Sequence, residues 1–148
     1  MYNVIVADDE KNIREGIVEL IEWEKLGCKV CASMQNGAQV LKYLEEEKIH
    51  VDIIITDIKM PIMDGMELIG MLNERFPDIK VIILTAYSDF TYAQQAIKFQ
   101  VSDFVVKNDF FLELPRAVKK IIEQCEVDAK KCVGREKEIP FFQGEACR

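Results

Sequence analysis

The fold of this chain is decided by the stretch Val51-Asp52-Ile53-Ile54-Ile55-Thr56-Asp57-Ile58-Lys59-Met60-Pro61, an apolar run that ends on Asp57 before a loop containing proline. A strand that is apolar on both faces is typical of a parallel sheet covered by helices on both sides. Ligands of such sheets bind outside the carboxyl ends of the strands, which predicts Asp57 at the mouth of a crevice. Taken alone, Asp57 fits better as a solvated aspartate that begins a turn, so its role depends on what the other strands carry at the same end.

Length and charge restrict the classes of protein that this chain can represent. Its 148 residues suffice for one domain with a substantial core and are too few for two comfortable ones. The formal net charge of −7 argues against nucleic-acid binding by this chain itself and favours a metal cation or a basic partner. No apolar run reaches transmembrane length and no basic segment precedes the first strand, so we expect a cytoplasmic protein without a signal peptide or membrane contact.

The chain has five cysteines, an odd number with irregular spacing. Cys28 and Cys31 form a C-x-x-C pair, which can indicate zinc or redox chemistry. They lie in a predicted strand, however, and residues three apart on a strand face opposite sides of the sheet. No second pair and no nearby histidine completes a metal site, so we expect free, reduced thiols.

Segments with strand and helix patterns alternate five times along the chain. The predicted strands are Tyr2–Ala7, Cys28–Met34, the opening stretch, Lys80–Leu84 and Ser102–Val106. The predicted helices are Asn12–Ile21, a segment that starts at Asn36-Gly37, a segment capped by Asp64 with Glu67 three residues on, Phe90–Gln100, and a last helix with Pro115 in its first turn. This alternation predicts an α/β three-layer sandwich, in which a doubly wound five-stranded parallel sheet of order 2-1-3-4-5 is covered by five helices.

The helical pattern weakens after Cys125, and residues 127–148 are mixed and charged. We therefore expect one folded domain at residues 1–126, followed by a helix extension or linker tail at residues 127–148. These residues are not expected to include an output domain.

Chemically active residues follow or end four of the predicted strands: Asp8 and Asp9 the first, Asp57 the third, Thr85 the fourth and Lys107 the fifth. These ends meet at one edge of a parallel sheet, which predicts that the side chains converge on one crevice. Two like charges roughly 4 Å apart repel by about 4 kcal/mol at an effective dielectric of 20, so the carboxylates need a proton or a cation. A carboxylate-rich set without His or Cys favours magnesium, manganese or calcium, and magnesium keeps water positions that phosphate oxygens can take.

This combination of groups predicts phosphoryl transfer. A carboxylate can act as a nucleophile and form an acyl phosphate, and the transfer requires mainly that the charge on three equatorial oxygens is neutralised. We expect magnesium to neutralise one oxygen, Lys107 a second, and the Thr85 hydroxyl with local backbone N–H groups the third. Asp57 is then the nucleophile, while Asp8 and Asp9 are metal ligands, Asp9 the more direct of the two.

Further residues accompany these groups: Met60-Pro61 and Asp64-Gly65 follow Asp57, Ala86 follows Thr85, and Phe104-Val105-Val106 precedes Lys107. With Asp8-Asp9, the set resembles the receiver domain of bacterial two-component response regulators, over roughly residues 2–126. The resemblance implies that a sensor histidine kinase donates a phosphoryl group to Asp57, and that Asp9, Asp57 and the backbone carbonyl of Lys59 hold Mg²⁺, with Mn²⁺ as a substitute. It also implies a switch in which the Thr85 hydroxyl turns toward the phosphate and the ring of Phe104 follows inward.

The run Thr85–Ala93 is similar to receivers joined to AraC-type helix-turn-helix domains, which implies a transcriptional regulator that contacts DNA only through such a domain. The predicted helix at residues 90–100 has a thin inward stripe of small residues, so we expect it to be weakly anchored and able to shift. Phosphorylation is expected to promote a homodimer through the face around Gln95, Lys98 and Phe99. The chemistry expected of the chain is self-catalysed phosphoryl capture and slow hydrolysis, without the turnover of an enzyme.

Two residues depart from the family pattern. Asn108 follows Lys107 where the family usually has proline, so this loop lacks the low-cost cis option of an X-Pro bond. Phe104 replaces a frequent tyrosine and has no hydroxyl. Neither change removes a group that phosphorylation needs.

Three other functions were weighed against the switch. A small magnesium-dependent phosphatase needs a second acid or base, typically two residues after the nucleophile, where this chain has Lys59. A flavodoxin-like nucleotide binder needs a phosphate loop after the first strand, where this chain has the acids Asp8-Asp9-Glu10. A receiver that works only as an interaction module does not need the complete set of acids, threonine and lysine. The only histidine, His50, is expected to be a solvated terminal residue, so the phosphoryl donor must come from another molecule.

Overall fold

The computed structural model describes residues 1–47, 49–86 and 101–138, with side chains described as far as Val127. The strands in this part are β1 (Tyr2–Ala7), β2 (Cys28–Met34), β3 (Ile53–Asp57), β4 (Lys80–Thr85) and β5 (Asp103–Val106). The α-helices are α1 (Lys11–Leu20), α2 (Gly37–Glu46), α3 (Gly65–Arg75) and α4 (Phe110–Glu138). Short 3₁₀ helices, Trp23–Leu26 and Lys107–Asp109, precede β2 and α4.

The strands form one five-stranded sheet of order β2-β1-β3-β4-β5, in which every neighbouring pair is parallel. The predicted sheet order and the α/β class are therefore confirmed. Four of the five predicted helices are observed in the described residues. The remaining one, predicted at residues 90–100, lies outside them, as do Gln95, Lys98 and Phe99.

The central strand β3 is buried along its whole length, as the apolar run predicts. Its side chains alternate between two cores, because successive residues of a strand point to opposite faces. Ile53 and Ile55 pack on the face covered by α1 and α4, whereas Ile54 packs on the face covered by α2 and α3. Each such isoleucine contributes about 1.5–3 kcal/mol when it is fully buried, so β3 is a rigid support for the loop that follows it.

The start of α3 is attached closely to the end of β3. Asp64 caps the helix as predicted, because its Oδ1 accepts a hydrogen bond of 2.9 Å from the backbone N–H of Glu67. The backbone N–H of Gly65 donates to the carbonyl of Ile58 at 2.7 Å. A Cβ at position 65 would lie 2.1 Å from the carbonyl oxygen of Asp57, so only glycine permits this approach.

The last helix begins earlier than the sequence predicts. Pro115 was expected in its first turn, but α4 starts at Phe110 and Pro115 lies inside it. Proline removes one hydrogen bond to the preceding turn. The helix nevertheless continues, because Phe110 packs against the core and Leu114 and Val118 are fully buried in it. The helix extends to Glu138, while the predicted domain boundary after residue 126 stays a prediction.

Cys28 packs in the core beneath α1 and α4, and Cys31 packs against the opposite core. The two thiols therefore face opposite sides of the sheet, as predicted, and neither forms a disulfide. Burial raises the pKa of Cys28 to about 11, so this thiol is neutral at physiological pH. None of the helices in the described part of the chain combines the length and apolar character that crossing a bilayer requires.

Candidate functional site

The strand ends bring the predicted acids, the threonine and the lysine to one edge of the sheet. Asp8 directly follows β1, Asp57 is the last residue of β3, Thr85 the last of β4, and Lys107 directly follows β5. The loop after β1 is fixed by a 3.0 Å hydrogen bond from the backbone N–H of Asp8 to the carbonyl of Met34 on the next strand. The position of each side chain thus follows from the parallel sheet.

Lys107 is the centre of the cluster. Its Nζ lies 2.8 Å from Asp57 Oδ2, 3.0 Å from Glu10 Oε1 and 3.2 Å from Asp8 Oδ2. Burial by itself would lower the pKa of Lys107, but the hydrogen bond and the charge of Asp57 and the nearby Asp8 together raise it above its ordinary value. Lys107 is therefore a permanent positive charge held between three carboxylates.

Asp57 is almost completely enclosed, with 4% of its surface exposed. Its Oδ1 accepts a 2.7 Å hydrogen bond from the backbone N–H of Ile58, and its Oδ2 accepts one from Lys107. Burial raises the pKa of Asp57, and the hydrogen bond from Lys107 opposes that rise. Each oxygen keeps a further lone pair, so the carboxylate can still bind a cation or attack an electrophile.

Asp8 has one carboxylate oxygen that is satisfied and one that is not. Oδ1 accepts a 2.8 Å hydrogen bond from the backbone N–H of Glu10. Oδ2 is buried and accepts no hydrogen bond, although it lies 3.2 Å from Lys107 Nζ. Burial chiefly, and then the charge of Asp57, raise the pKa of Asp8 to about 7. A buried carboxylate oxygen without a hydrogen bond is a site where a cation would relieve an energetic cost.

The geometry fits a hard divalent cation. Asp8, Asp9, Glu10 and Asp57 each offer one carboxylate oxygen, and these oxygens all lie within 4.8 Å of one another. An all-oxygen set of this kind suits Mg²⁺ or Mn²⁺. Asp9 is exposed, and Lys59 lies exposed in the loop after β3.

The two predicted switch residues lie on neighbouring strands. Thr85 is 1% exposed, and its hydroxyl donates a 2.9 Å hydrogen bond to the carbonyl of Ala86. Phe104 is opposite Ile83 in the pairing of β5 with β4, and its ring is partly buried against the core under α2 and α3. The Thr85 hydroxyl is thus engaged with a neighbouring carbonyl and not with the acids.

Glu10 is the member of the cluster that the sequence-based prediction did not include. It is the third acid of Asp8-Asp9-Glu10, so its position in the sequence could have suggested it. Its contact with Lys107, 97 residues away, could not be read from the sequence.

Comparison with known proteins identifies the family. Residues 4–119 match the family described as response regulator receiver domain. The chain therefore belongs to the response regulator receiver family, as its motifs predict.

Several relatives are known as regulators. The uncharacterized transcriptional regulatory protein YesN of Bacillus subtilis is 38% identical over 107 residues, which cover 72% of this chain and 28% of YesN. The transcriptional regulatory protein HptR of Staphylococcus aureus is 30% identical over 128 residues, which cover 84% of this chain and 49% of HptR. This chain thus spans less than half the length of each of these two curated relatives.

Solved receiver structures agree with the fold. The REC domain of AraT, a response regulator from Geobacillus stearothermophilus, is 38% identical with a TM-score of 0.73, and the match covers 83% of this chain and 96% of that one. A two-component transcriptional regulator AraC from Clostridium phytofermentans is 31% identical with a TM-score of 0.72, and the match covers 83% of this chain and 94% of that one.

Proposed function

We propose that this receiver is a switch that accepts a phosphoryl group on Asp57 from a sensor histidine kinase, in the presence of Mg²⁺. The observation that carries the proposal is the contact between Lys107 Nζ and Asp57 Oδ2 at 2.8 Å, next to the unsatisfied oxygen of Asp8. A carboxylate beside a fixed cation and an acidic cluster is the arrangement that phosphoryl capture requires.

In the proposed reaction, a carboxylate oxygen of Asp57 forms a bond to phosphorus. The bond between phosphorus and the kinase imidazole nitrogen breaks, that nitrogen keeps the electron pair, and the proton on the other ring nitrogen makes the leaving imidazole neutral. Lys107 follows the new phosphoryl oxygens because its ammonium is already within hydrogen-bond distance of Asp57. His50 is half exposed beside Asp52, which precedes β3 at the opposite end from Asp57, so the donor comes from another protein.

Asp8, Asp9 and Asp57 are the proposed ligands of Mg²⁺, with the backbone carbonyl of Lys59. When bound, the ion would neutralise part of the charge on the phosphoryl oxygens. The unsatisfied Oδ2 of Asp8 supports this assignment, since it is the buried acceptor that gains most from a cation.

The proposed output is a change in association. Thr85 would give up its bond to the Ala86 carbonyl, turn toward the phosphoryl group and leave space for the ring of Phe104. The resulting surface, around Gln95, Lys98 and Phe99, would form a homodimer. By similarity to YesN and HptR, the whole protein would regulate transcription in the cytoplasm through a DNA-binding domain.

The phosphatase alternative is less well supported. Such an enzyme needs an acid or base next to the nucleophile in addition to the metal ligands. Position 59 is an exposed lysine, and the described acids near Asp57 are those of the loop after β1. We therefore propose phosphoryl capture and slow hydrolysis without enzymatic turnover.

The direct test is intact-mass measurement after incubation with acetyl phosphate and Mg²⁺. The wild type should gain one phosphoryl group and Asp57→Asn should gain none. Asp64→Asn is the matched control in the same loop, because asparagine also caps a helix, and it should still be labelled. Labelling of Asp57→Asn at one other residue would contradict the assignment of Asp57.

A further inference from the structure

Glu10 occupies the N-cap position of α1 but does not cap the helix. No hydrogen bond joins its side chain to the first turn, although caps normally supply one to the unsatisfied N–H groups there. The carboxylate instead lies 3.0 Å from Lys107 Nζ. A local stabilising contact is thus replaced by a contact with the functional site.

Hydrogen bonds at both its backbone and its side chain hold Glu10 in place. Its backbone N–H donates to Asp8 Oδ1 at 2.8 Å, and its side chain accepts from Lys107, which also donates to Asp57. These bonds connect Asp8, Glu10, Lys107 and Asp57 in series. The side chain of Glu10 is 61% exposed, against 11% for Lys107 and 5% for Asp57, so Glu10 forms the solvent-side rim of the site.

The rim position places a negative charge on the solvent-exposed side of the site, next to Lys107. In the described residues, the cluster contains four carboxylates and two positively charged groups, the ammonium of Lys107 and the guanidinium of Arg14. Arg14 donates a hydrogen bond to the Asp8 backbone carbonyl at 2.7 Å. Glu10 is the exposed member of the cluster that also holds Lys107. Its charge therefore acts both on the aim of the lysine and on the approach of an anion.

We propose that Glu10 is a donor-selecting residue, whose charge disfavours small dianionic phosphoryl donors relative to monoanionic ones. This inference rests on the proposed function of Asp57.

Two small donors separate these classes chemically. With acetyl phosphate, the Asp57 oxygen bonds to phosphorus, the phosphorus–oxygen bond breaks, and acetate leaves with the electron pair. With phosphoramidate, the phosphorus–nitrogen bond breaks and ammonia leaves, its protons already on the donor nitrogen at neutral pH. Acetyl phosphate is a dianion and phosphoramidate a monoanion under these conditions, so a fixed negative charge repels the former more strongly.

The test compares Glu10→Gln with the wild type at saturating Mg²⁺, using both donors and intact mass as the readout. Loss of one screened charge is expected to accelerate labelling by acetyl phosphate about fivefold and labelling by phosphoramidate less than about twofold. In about 0.5 M salt the acetyl phosphate effect should fall below about twofold, because a charge at an exposed rim is screened. Glu19→Gln, the same change at an exposed position in the last turn of α1, should alter neither rate.

Three results would overturn the inference. These are an equal change with both donors, slower labelling with acetyl phosphate, or a loss of Mg²⁺ affinity greater than about tenfold by calorimetry, which would make Glu10 a metal ligand. The wild type and Asp57→Asn are measured in parallel. Failure of the wild type to label with either donor would refute the function of Asp57, whereas labelling without donor discrimination by Glu10 refutes only this inference.

Discussion

The ammonium nitrogen of Lys107 lies 2.8 Å from Oδ2 of Asp57, a contact between residues 50 positions apart in the sequence. Both side chains are nearly enclosed, with 11% and 5% of their surfaces exposed. The contact joins the ends of β3 and β5 across β4. It opposes the rise that burial causes in the pKa of Asp57, and it places a cation beside the proposed phosphoryl group.

Lys107→Ala should destabilise the metal-free protein at pH 8. Removing one partner of a buried pair leaves uncompensated charge, which typically costs about 3–5 kcal/mol in the free energy of unfolding. Urea denaturation in EDTA measures the change. Lys25→Ala is the control, because its pair with Glu22 is largely exposed and contributes little to stability. Equal losses for the two variants would show that the buried cluster does not depend on Lys107.

Asp8→Asn should stabilise the metal-free protein at pH 8 by up to about 4 kcal/mol and have little effect near pH 4, since each of roughly three pKa units corresponds to about 1.4 kcal/mol. The pKa of Asp8 rises from an ordinary value of 3.8 to about 7 in the folded state, chiefly because of burial. The folded state therefore binds the proton more tightly than the unfolded state does. Stability is lost as the pH rises from about 3.8 to about 7. Asparagine has no charge to bury and avoids that loss.

The measurement is thermal or urea unfolding of both proteins across this pH range in EDTA. Asp78→Asn, an exposed acid after α3, should change stability by less than about 0.5 kcal/mol at either pH. Added Mg²⁺ should stabilise the wild type more than Asp8→Asn, because the variant lacks one ligand charge. A pH-independent difference between the two proteins would contradict the burial of an ionised Asp8.

Gly65→Ala should lower stability by about 2–4 kcal/mol and impair labelling of Asp57, as expected for overpacking against backbone. The new Cβ would meet the carbonyl oxygen of Asp57 at 2.1 Å and Cα of Ile58 at 3.0 Å. Gly70→Ala in the same helix is the matched control, since nothing lies within 4 Å of its Cβ position. That variant should instead gain about 0.5–1 kcal/mol from reduced chain entropy. Chemical denaturation and intact mass test both variants.

Phosphorylation should shift the protein from monomer toward dimer, measured by sedimentation with acetyl phosphate and Mg²⁺. Phe99→Asp should prevent the shift without preventing labelling, because a charge placed in an apolar interface is costly to desolvate. Lys107→Ala should leave Mg²⁺ binding largely intact but uncouple labelling from association, since the ammonium would no longer contact the phosphoryl group. A labelled wild type that remains monomeric would count against the dimer.

Much of the fold could be predicted from the sequence, because its signals are local. The apolar run at residues 53–57 identified a strand buried on both faces, and the five-fold alternation identified the parallel sheet. Pro115 was predicted in the first turn of the last helix, whereas α4 already starts at Phe110. Proline is a local signal for a first turn, but burial of Leu114 and packing of Phe110 outweighed it, and such contacts depend on the other elements.

The sequence by itself determined which chemical groups stand at the strand ends, since a strand that ends on Asp57 or precedes Lys107 does so in any fold. Only the tertiary structure decided which of those groups form hydrogen bonds and ion pairs with one another. It placed Lys107 between Asp57, Asp8 and Glu10, left one oxygen of Asp8 unsatisfied, and used the side chain of Glu10 for Lys107 in place of a helix cap. Hydrogen bonds depend on distances of a few tenths of an ångström between residues far apart in the chain, and those distances exist only once the sheet has brought the strand ends together.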